Sequence, residues 1–365
     1  MSEWQTFYLK DLGKIVGGAT PSTNNPKNYG NKIAWITPKD LSTLQGRYIK
    51  KGSRSISRLG FKSCSCVLLP KHAILFSSRA PIGYVAIAKK RLCTNQGFKS
   101  IIPNKKIYFE FLYYLLKYHK DNISNIGGGT TFKEVSGATL GLFKVKIPPT
   151  YYEQQKIART LSILDQKIEN NYKINELLHT LAYRIYEYYF KYKPKNAKLE
   201  QIIIENPKSS IMVKNAQKTQ DKYPFFTSGD NILFYPKAII DGRNCFLNTG
   251  GNAGIKFYVG KASYSTDTWC ICANEFSDYL YLLLSSIKTH INQSFFQGTS
   301  LKHLQKNLLK KYPIYMTSAH EITKFNQIIM PLLTLISINT RTSKKLEQIR
   351  DFLLPLLLTQ QVKPQ

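Results

Sequence analysis

The sequence predicts an α/β (α+β) protein built from two copies of one unit, each a mixed globular domain followed by a long helix. The two helices are expected to pair antiparallel as a coiled coil about an internal pseudo-twofold axis. Three observations carry this: two long stretches of helical apolar spacing, a repeat that maps one onto the other, and short strand-like runs confined to the segments between them. The predicted order is a globular domain over 1–150, a long helix over 151–192, a second domain over 193–318 and a terminal helix over 319–365.

Within the first domain, 73–77 and 84–88 are apolar runs of strand length around the turn Ser78-Arg79-Ala80-Pro81-Ile82-Gly83. In the second, 245–248 and 255–259 flank Thr249-Gly250-Gly251-Asn252-Ala253-Gly254. The stretches 107–118 and 278–289 are apolar and long enough for helices, so each domain mixes both element types.

The first long helix begins at Glu153-Gln154-Gln155-Lys156-Ile157-Ala158. Its apolar ruler runs Ile157, Leu161, Leu164, Ile168, Leu178, Ala182, Ile185 and Tyr189. Adding 168 to each gives Phe325, Ile329, Leu332, Ile336, Leu346, Arg350, Leu353 and Leu357. The defects repeat too: Asn171 and Asn175 interrupt the first seam where Asn339 and Ser343 interrupt the second. Beyond the helices, Phe111-Leu112-Tyr113-Tyr114-Leu115-Leu116 returns as Tyr279-Leu280-Tyr281-Leu282-Leu283-Leu284, and Gly128-Gly129-Thr130-Thr131 as Gln297-Gly298-Thr299-Ser300.

A helix of about 33 residues is about 50 Å long, and an apolar seam of that length needs a partner. The polar interruptions admit two readings. Either Asn171, Asn175, Asn339 and Ser343 meet inside the seam and fix its register, or they face solvent and Tyr172, Ile174 and Leu177 form a slightly rotated seam. Pro331 and Pro355 are expected to bend or begin the second helix.

The chain carries 52 Lys and Arg against 22 Asp and Glu, a formal charge of +30. Residues 1–150 hold 24 basic and 6 acidic side chains and 193–318 hold 16 and 8, so the excess sits on the predicted domains. Globular domains this positive favour polyanions, chiefly nucleic acid. No apolar run approaches the roughly 20 residues of a membrane span, and Met1 to Asp11 lacks the order of a secretory signal, so a cytoplasmic location away from membranes is expected. Six Cys without export read as reduced thiols.

Motifs for self-contained catalysis are missing. Pro148-Pro149-Thr150-Tyr151 approaches the Asp/Asn-Pro-Pro-aromatic pattern of amino-methyltransferases, but Ile147 stands where the polar residue is required. Gly250 to Phe257 is glycine-rich without the Gly-Lys-Ser/Thr of a phosphate loop. Cys64-Ser65-Cys66 and Cys270-Ile271-Cys272 lack zinc spacing, and the six His form no metal pair, so no metal or cofactor is expected on this chain. Gly127 to Thr131 reads either as a phosphate cradle or as a turn.

Over nearly its whole length the sequence resembles the specificity subunits of type I restriction-modification systems. The resemblance rests on Gly17-Gly18-Ala19-Thr20-Pro21-Ser22, Ile33-Ala34-Trp35-Ile36-Thr37 with Asp40, and Ile74 to Gly83. It continues through Pro148-Pro149, Glu153 to Ala158, Leu164-Asp165 with Ile168-Glu169-Asn170-Asn171, and Arg350-Asp351-Phe352-Leu353-Leu354-Pro355-Leu356-Leu357. It implies a non-catalytic subunit whose two target-recognition domains read the halves of an asymmetric bipartite site in double-stranded DNA. The helices would set the gap and dock two modification subunits carrying S-adenosylmethionine. A restriction subunit would bring ATP and Mg for translocation and cleavage. The halves differ: Arg79 has no counterpart in the second loop, and Glu153-Gln154-Gln155 becomes Glu321-Ile322-Thr323.

A rod of about 50 Å spans about one to one and a half turns of duplex. Candidate DNA contacts in the first domain are Lys39, Arg47, Lys50, Lys51, Arg54, Arg58 and Arg79, from a Ser-rich basic stretch; solvation alone is the other reading of that stretch. In the second domain they are Lys214, Lys218, Lys222, Arg243 and Lys302. Two other function classes stay open: an orphan nucleic-acid-binding scaffold, and a self-contained methyltransferase or nuclease.

Overall fold

The computed structural model describes residues 3–128, 133–216 and 222–364. The chain divides into two compact units, Met1–Glu169 with Leu346–Gln365, and Asn170–Lys345. Each holds one mixed α+β domain together with part of both long helices, Tyr151–Tyr186 and Ala319–Leu358.

In the first unit a five-stranded sheet runs in the order Gly13–Gly17, Lys99–Pro103, Ile74–Ser78, Ile82–Ala88 and Tyr48–Ile49. Every residue of Ile74–Ser78 is buried, as a central strand covered on both faces must be. The helix Phe109–Tyr118 buries all six residues from Phe111 to Leu116 beneath this sheet, alongside Ile157, Ala158 and Leu161 of the first long helix and Leu354, Leu357 and Leu358 of the second. A smaller sheet, Arg54–Ile56, Tyr29–Ile36 and Cys93–Thr94, sits on its own core of Trp35, Ile56, Cys66 and Cys93.

The second unit repeats the plan. Its main sheet orders Ile204–Glu205, Thr268–Cys272, Arg243–Asn248 and Ile255–Val259, and Leu233–Tyr235, Tyr223–Phe226 and Ser263–Tyr264 form a second sheet. The helix Ser277–Ser286 is buried from end to middle like its counterpart. Phe190 joins it to the long helices through ring contacts at 5.1 Å to Tyr279 and 4.8 Å to Phe325.

Where the two long helices meet they run antiparallel. In the first unit Arg350 Nη1 donates to Asp165 Oδ1 at 2.7 Å. In the second, Asn171 Nδ2 donates to Ser343 Oγ at 3.1 Å, and Asn339 Nδ2 to Asn175 Oδ1 at 2.9 Å. Asn175 reaches Thr340 Oγ1 at 3.3 Å as well. The four polar residues therefore meet inside the seam. Ile174 and Leu177 are exposed and Tyr172 is half-buried, so the rotated alternative does not form. Burial of Ile157, Leu161, Ile168, Phe325, Ile329 and Ile336 contributes about 1.5–3 kcal/mol each.

The ruler is imperfect at its edges. Leu164, Leu178, Ile185, Leu332, Leu346 and Leu353 are half-buried, and Leu333 takes the interior place beside Leu332. The seam also accepts a charge, for Asp165 is buried next to Leu164 and is matched by Arg350. Pro331 and Pro355 do not begin the second helix, which runs through both from Ala319 to Leu358. Each proline removes one backbone donor, and Ile329, Leu333, Leu354 and Leu357 anchor the flanking turns.

Candidate nucleic-acid interface

In the first domain the motif residues before Ser22 act as a staple beneath the small sheet. Ala19 O accepts from the Trp35 indole at 3.0 Å and from Cys66 Sγ at 3.0 Å, and Ala19 N donates to Thr94 O. A Cβ on Gly18 would lie 2.1 Å from Asn95 O, so only glycine fits. Tyr29 is fixed through its hydroxyl to Pro21 O at 2.9 Å, and Arg54 lies over its ring at 4.5 Å.

Asp40 ties together two segments of the first domain. Its carboxylate accepts from Thr37 N and Thr37 Oγ1, both at 2.8 Å, and from Ser53 N at 2.7 Å. This holds Ser53, at the end of the 50–53 loop, against the helix Pro38–Ser42. The loop comes so close that a Cβ on Gly52 would meet Asp40 Oδ2 at 2.7 Å. Burial raises the Asp40 pKa, but the bonds from Ser53 and Thr37 outweigh it and leave the carboxyl below 3.8. Asp40 is thus an anionic tie between two segments, and Lys39, Lys50, Lys51 and Arg54 on and beside them are exposed.

Arg58 is also exposed, in the first turn of Arg58–Lys62, where Ser57 Oγ caps Gly60 N at 3.0 Å. Arg79 is half-exposed and shares Glu134 with Lys99, at 3.6 and 3.2 Å. Lys32, absent from the candidates, is exposed on Tyr29–Ile36, the strand paired with Arg54. Its isolation from the Arg47–Arg58 run concealed it.

Arg47 corrects the expectation placed on it. Its side chain is 3 % exposed, with Nη1 3.0 Å from Glu110 Oε1 and Nε 3.1 Å from Glu169 Oε1. Arg243 is likewise engaged internally, by Asp278, Thr334 Oγ1 and Met330 O. A guanidinium enclosed by carboxylates and helix carbonyls is not offered to a phosphate.

In the second domain Lys214, Lys222 and Lys302 are exposed, and Lys218 lies outside the described residues. Lys302 stands against the glycine loop: its carbonyl accepts from Gly251 N at 2.9 Å, and Leu304 N donates to Thr249 O at 3.0 Å. Lys222 flanks Tyr223, whose ring helps line a surface depression of about 490 Å³ with Lys237, Asp241 and Lys261. Lys237 and Lys261 are exposed and sit singly in turns, where no basic run announces them. Of the phosphate-cradle reading of 127–131, Gly129 to Thr131 lie outside the described residues; Gly128 N donates to Glu134 O at 3.1 Å and Glu134 N to Gly128 O at 2.9 Å.

Among the described residues no group of three or more His, Cys, Asp or Glu could hold a metal ion, and no helix is long and apolar enough to cross a membrane.

The type I restriction modification DNA specificity domain model matches residues 1–179 and 195–348. The specificity subunit of the type I restriction enzyme MjaIX of Methanocaldococcus jannaschii is 32% identical, covering 98% of this chain and 93% of that protein. The HindI specificity subunit of Haemophilus influenzae is 30% identical over 50% of this chain and 40% of its own length. A crystal structure of the type I restriction-modification S subunit from M. genitalium aligns with a TM-score of 0.65 at 18% identity, over 98% of this chain and 96% of that one, which shows the same fold. The doubled basic domain, the paired long helices and these matches agree: the chain belongs to the type I restriction-modification specificity subunit family.

Proposed function

We propose that each domain reads one half of a split, asymmetric site in double-stranded DNA and that the paired helices set the unread gap. The observation that carries this is the duplication itself: two basic domains of the same plan, each packed on both long helices, with a polar layer that specifies the pairing register. Lys32, Lys39, Lys50, Lys51, Arg54 and Arg58 in the first domain, and Lys214, Lys222, Lys237, Lys261 and Lys302 in the second, supply phosphate contacts and a few base contacts.

The chain contributes recognition, and catalysis belongs to partners. Two modification subunits would bring S-adenosylmethionine for adenine methylation, and a restriction subunit ATP and Mg, in the cytoplasm. The long helices leave apolar side chains uncovered, among them Leu177 and Leu181 in one unit and Ile349 and Phe352 in the other, a surface suited to helical partners.

Co-expression with the modification subunit encoded beside it, in a host lacking adenine methylation, followed by sequencing of modified bases, tests this. A split asymmetric motif that disappears without this chain is expected. Co-purification without a motif would count against the directing role, and no association at all would favour the orphan-scaffold reading.

A further inference from the structure

Each domain is fastened to a long helix by one inward-facing arginine, Arg47 buried and Arg243 half-buried, and the two fasteners are alike although the repeat does not relate the two arginines. In the first unit Arg47 pairs with Glu110, in the first turn of Phe109–Tyr118, and crosses to Glu169 of the first long helix. In the second, Arg243 pairs with Asp278, in the first turn of Ser277–Ser286, and crosses to Thr334 Oγ1 at 2.9 Å and Met330 O at 3.2 Å on the second long helix.

Glu110 and Asp278 are 168 apart, the spacing of the duplication. The arginines are not: the repeat places Asn215 opposite Arg47 and Leu75 opposite Arg243. Glu169 and Ser337 are again 168 apart, and each accepts a domain backbone N–H, Arg47 N at 2.8 Å and Val259 N at 3.1 Å. Common descent explains the shared acceptors. It does not explain two arginines reaching the same junction from different places, one from the bend before Tyr48–Ile49 and one from the start of Arg243–Asn248, which indicates that the junction itself must be rigid.

We propose that Arg47 and Arg243 are positioning residues that fix the rotation of each domain on its long helix and thereby restrict the protein to one spacer length. The inference rests on the bipartite reading above. Its physical ground is the pitch of the duplex: one added base pair turns the far half-site by about 34° and moves it about 3.4 Å. A domain locked at its root cannot follow that turn; one with a loosened root can.

Glu169→Leu and Thr334→Val each remove the side-chain hydrogen bond on the helix side, leaving Arg47 only the longer 4.0 Å approach to Asp165 and Arg243 only Met330 O there, with each arginine still paired with its domain acid. The full chain, with its modification subunit, is assayed on a library holding the native half-sites at the native spacer and at one base pair shorter and longer. Methylation at the neighbouring spacers should rise about tenfold relative to the native one, the scale of one mismatched base pair, with both half-site sequences unchanged. In parallel, genetically encoded spin labels at Lys62 and Arg159 in the first unit, and at Lys261 and Lys324 in the second, report the distance between domain and helix without DNA. The distance distributions should broaden in the variants. Unchanged distributions and spacer preference in folded variants, even with lowered melting temperatures, would overturn the proposal and leave the arginines structural. Arg243→Met with Asp278→Leu keeps the junction filled and must loosen the same two readouts. If the wild-type complex yields no split motif, the functional reading fails, and the distance measurement still judges the fasteners.

Discussion

Replacing Lys39, Lys50, Lys51 and Arg54 together by Gln removes four exposed cations of the first domain without touching its core. If all four meet phosphates, each contributes about 0.9 to the slope of log K against log salt, so the slope should fall by about 3.6. Over a fourfold rise in salt, a slope of 0.9 is worth about 3.5-fold per contact, which makes the variant about 150-fold less salt-sensitive across that range. Because this term is independent of sequence, titration of a labelled non-specific duplex by fluorescence anisotropy at several salt concentrations measures it directly. Arg47→Met is the internal control, since its buried guanidinium predicts no change in slope. A slope altered by less than about one in the quadruple variant, or by as much in Arg47→Met, would refute the assignment.

Three further outcomes are expected. Arg350→Ala leaves Asp165, which is 4 % exposed, with the Tyr114 hydroxyl at 2.6 Å and Arg47 Nε only at 4.0 Å, and should destabilise the first unit by about 3 kcal/mol in chemical unfolding. A double-mutant cycle of Asn175→Ala and Asn339→Ala should give a coupling of about 1 kcal/mol, the worth of one neutral hydrogen bond; zero coupling would remove the polar layer from the register argument. Asp40 has a folded pKa below its ordinary 3.8, so its stabilisation is complete above that value and fades as pH falls through the folded one. The stability gap between wild type and Asp40→Asn should therefore close only in strong acid, and a gap already closed at pH 5 would contradict the bonding seen at Ser53 and Thr37.

The large features were legible because they repeat. A seam written twice with its interruptions in the same places, Asn171 and Asn175 against Asn339 and Ser343, is a long-range pattern that needs no coordinates. Arg47 was illegible for the opposite reason. Its neighbours Lys50, Lys51 and Arg54 belong to an exposed basic stretch, and nothing nearby distinguishes it, while the carboxylates that claim it lie 63 and 122 residues away. Leu332 and Leu333 illustrate a subtler limit. A spacing of threes and fours drifts around a helix of 3.6 residues per turn, so adjacent apolar residues exchange the interior place over a few turns.

The glycine-rich opening motif also changes meaning once its contacts are known. Gly18, Ala19 and Pro21 meet Thr94, Asn95, Trp35, Cys66 and Tyr29, all within the first domain. The Tyr29 ring fixed in this way carries Arg54 over its face. This opening motif is thus scaffold, and the exposed Arg54 that it supports stands on the surface above. A recognition surface can vary freely only where the layer beneath it does not, because each exposed side chain inherits its direction from a buried partner. Exchanging the cations should therefore alter affinity and half-site sequence at little cost in stability. Exchanging Gly18, whose added Cβ would run into two carbonyls, should cost the small sheet itself.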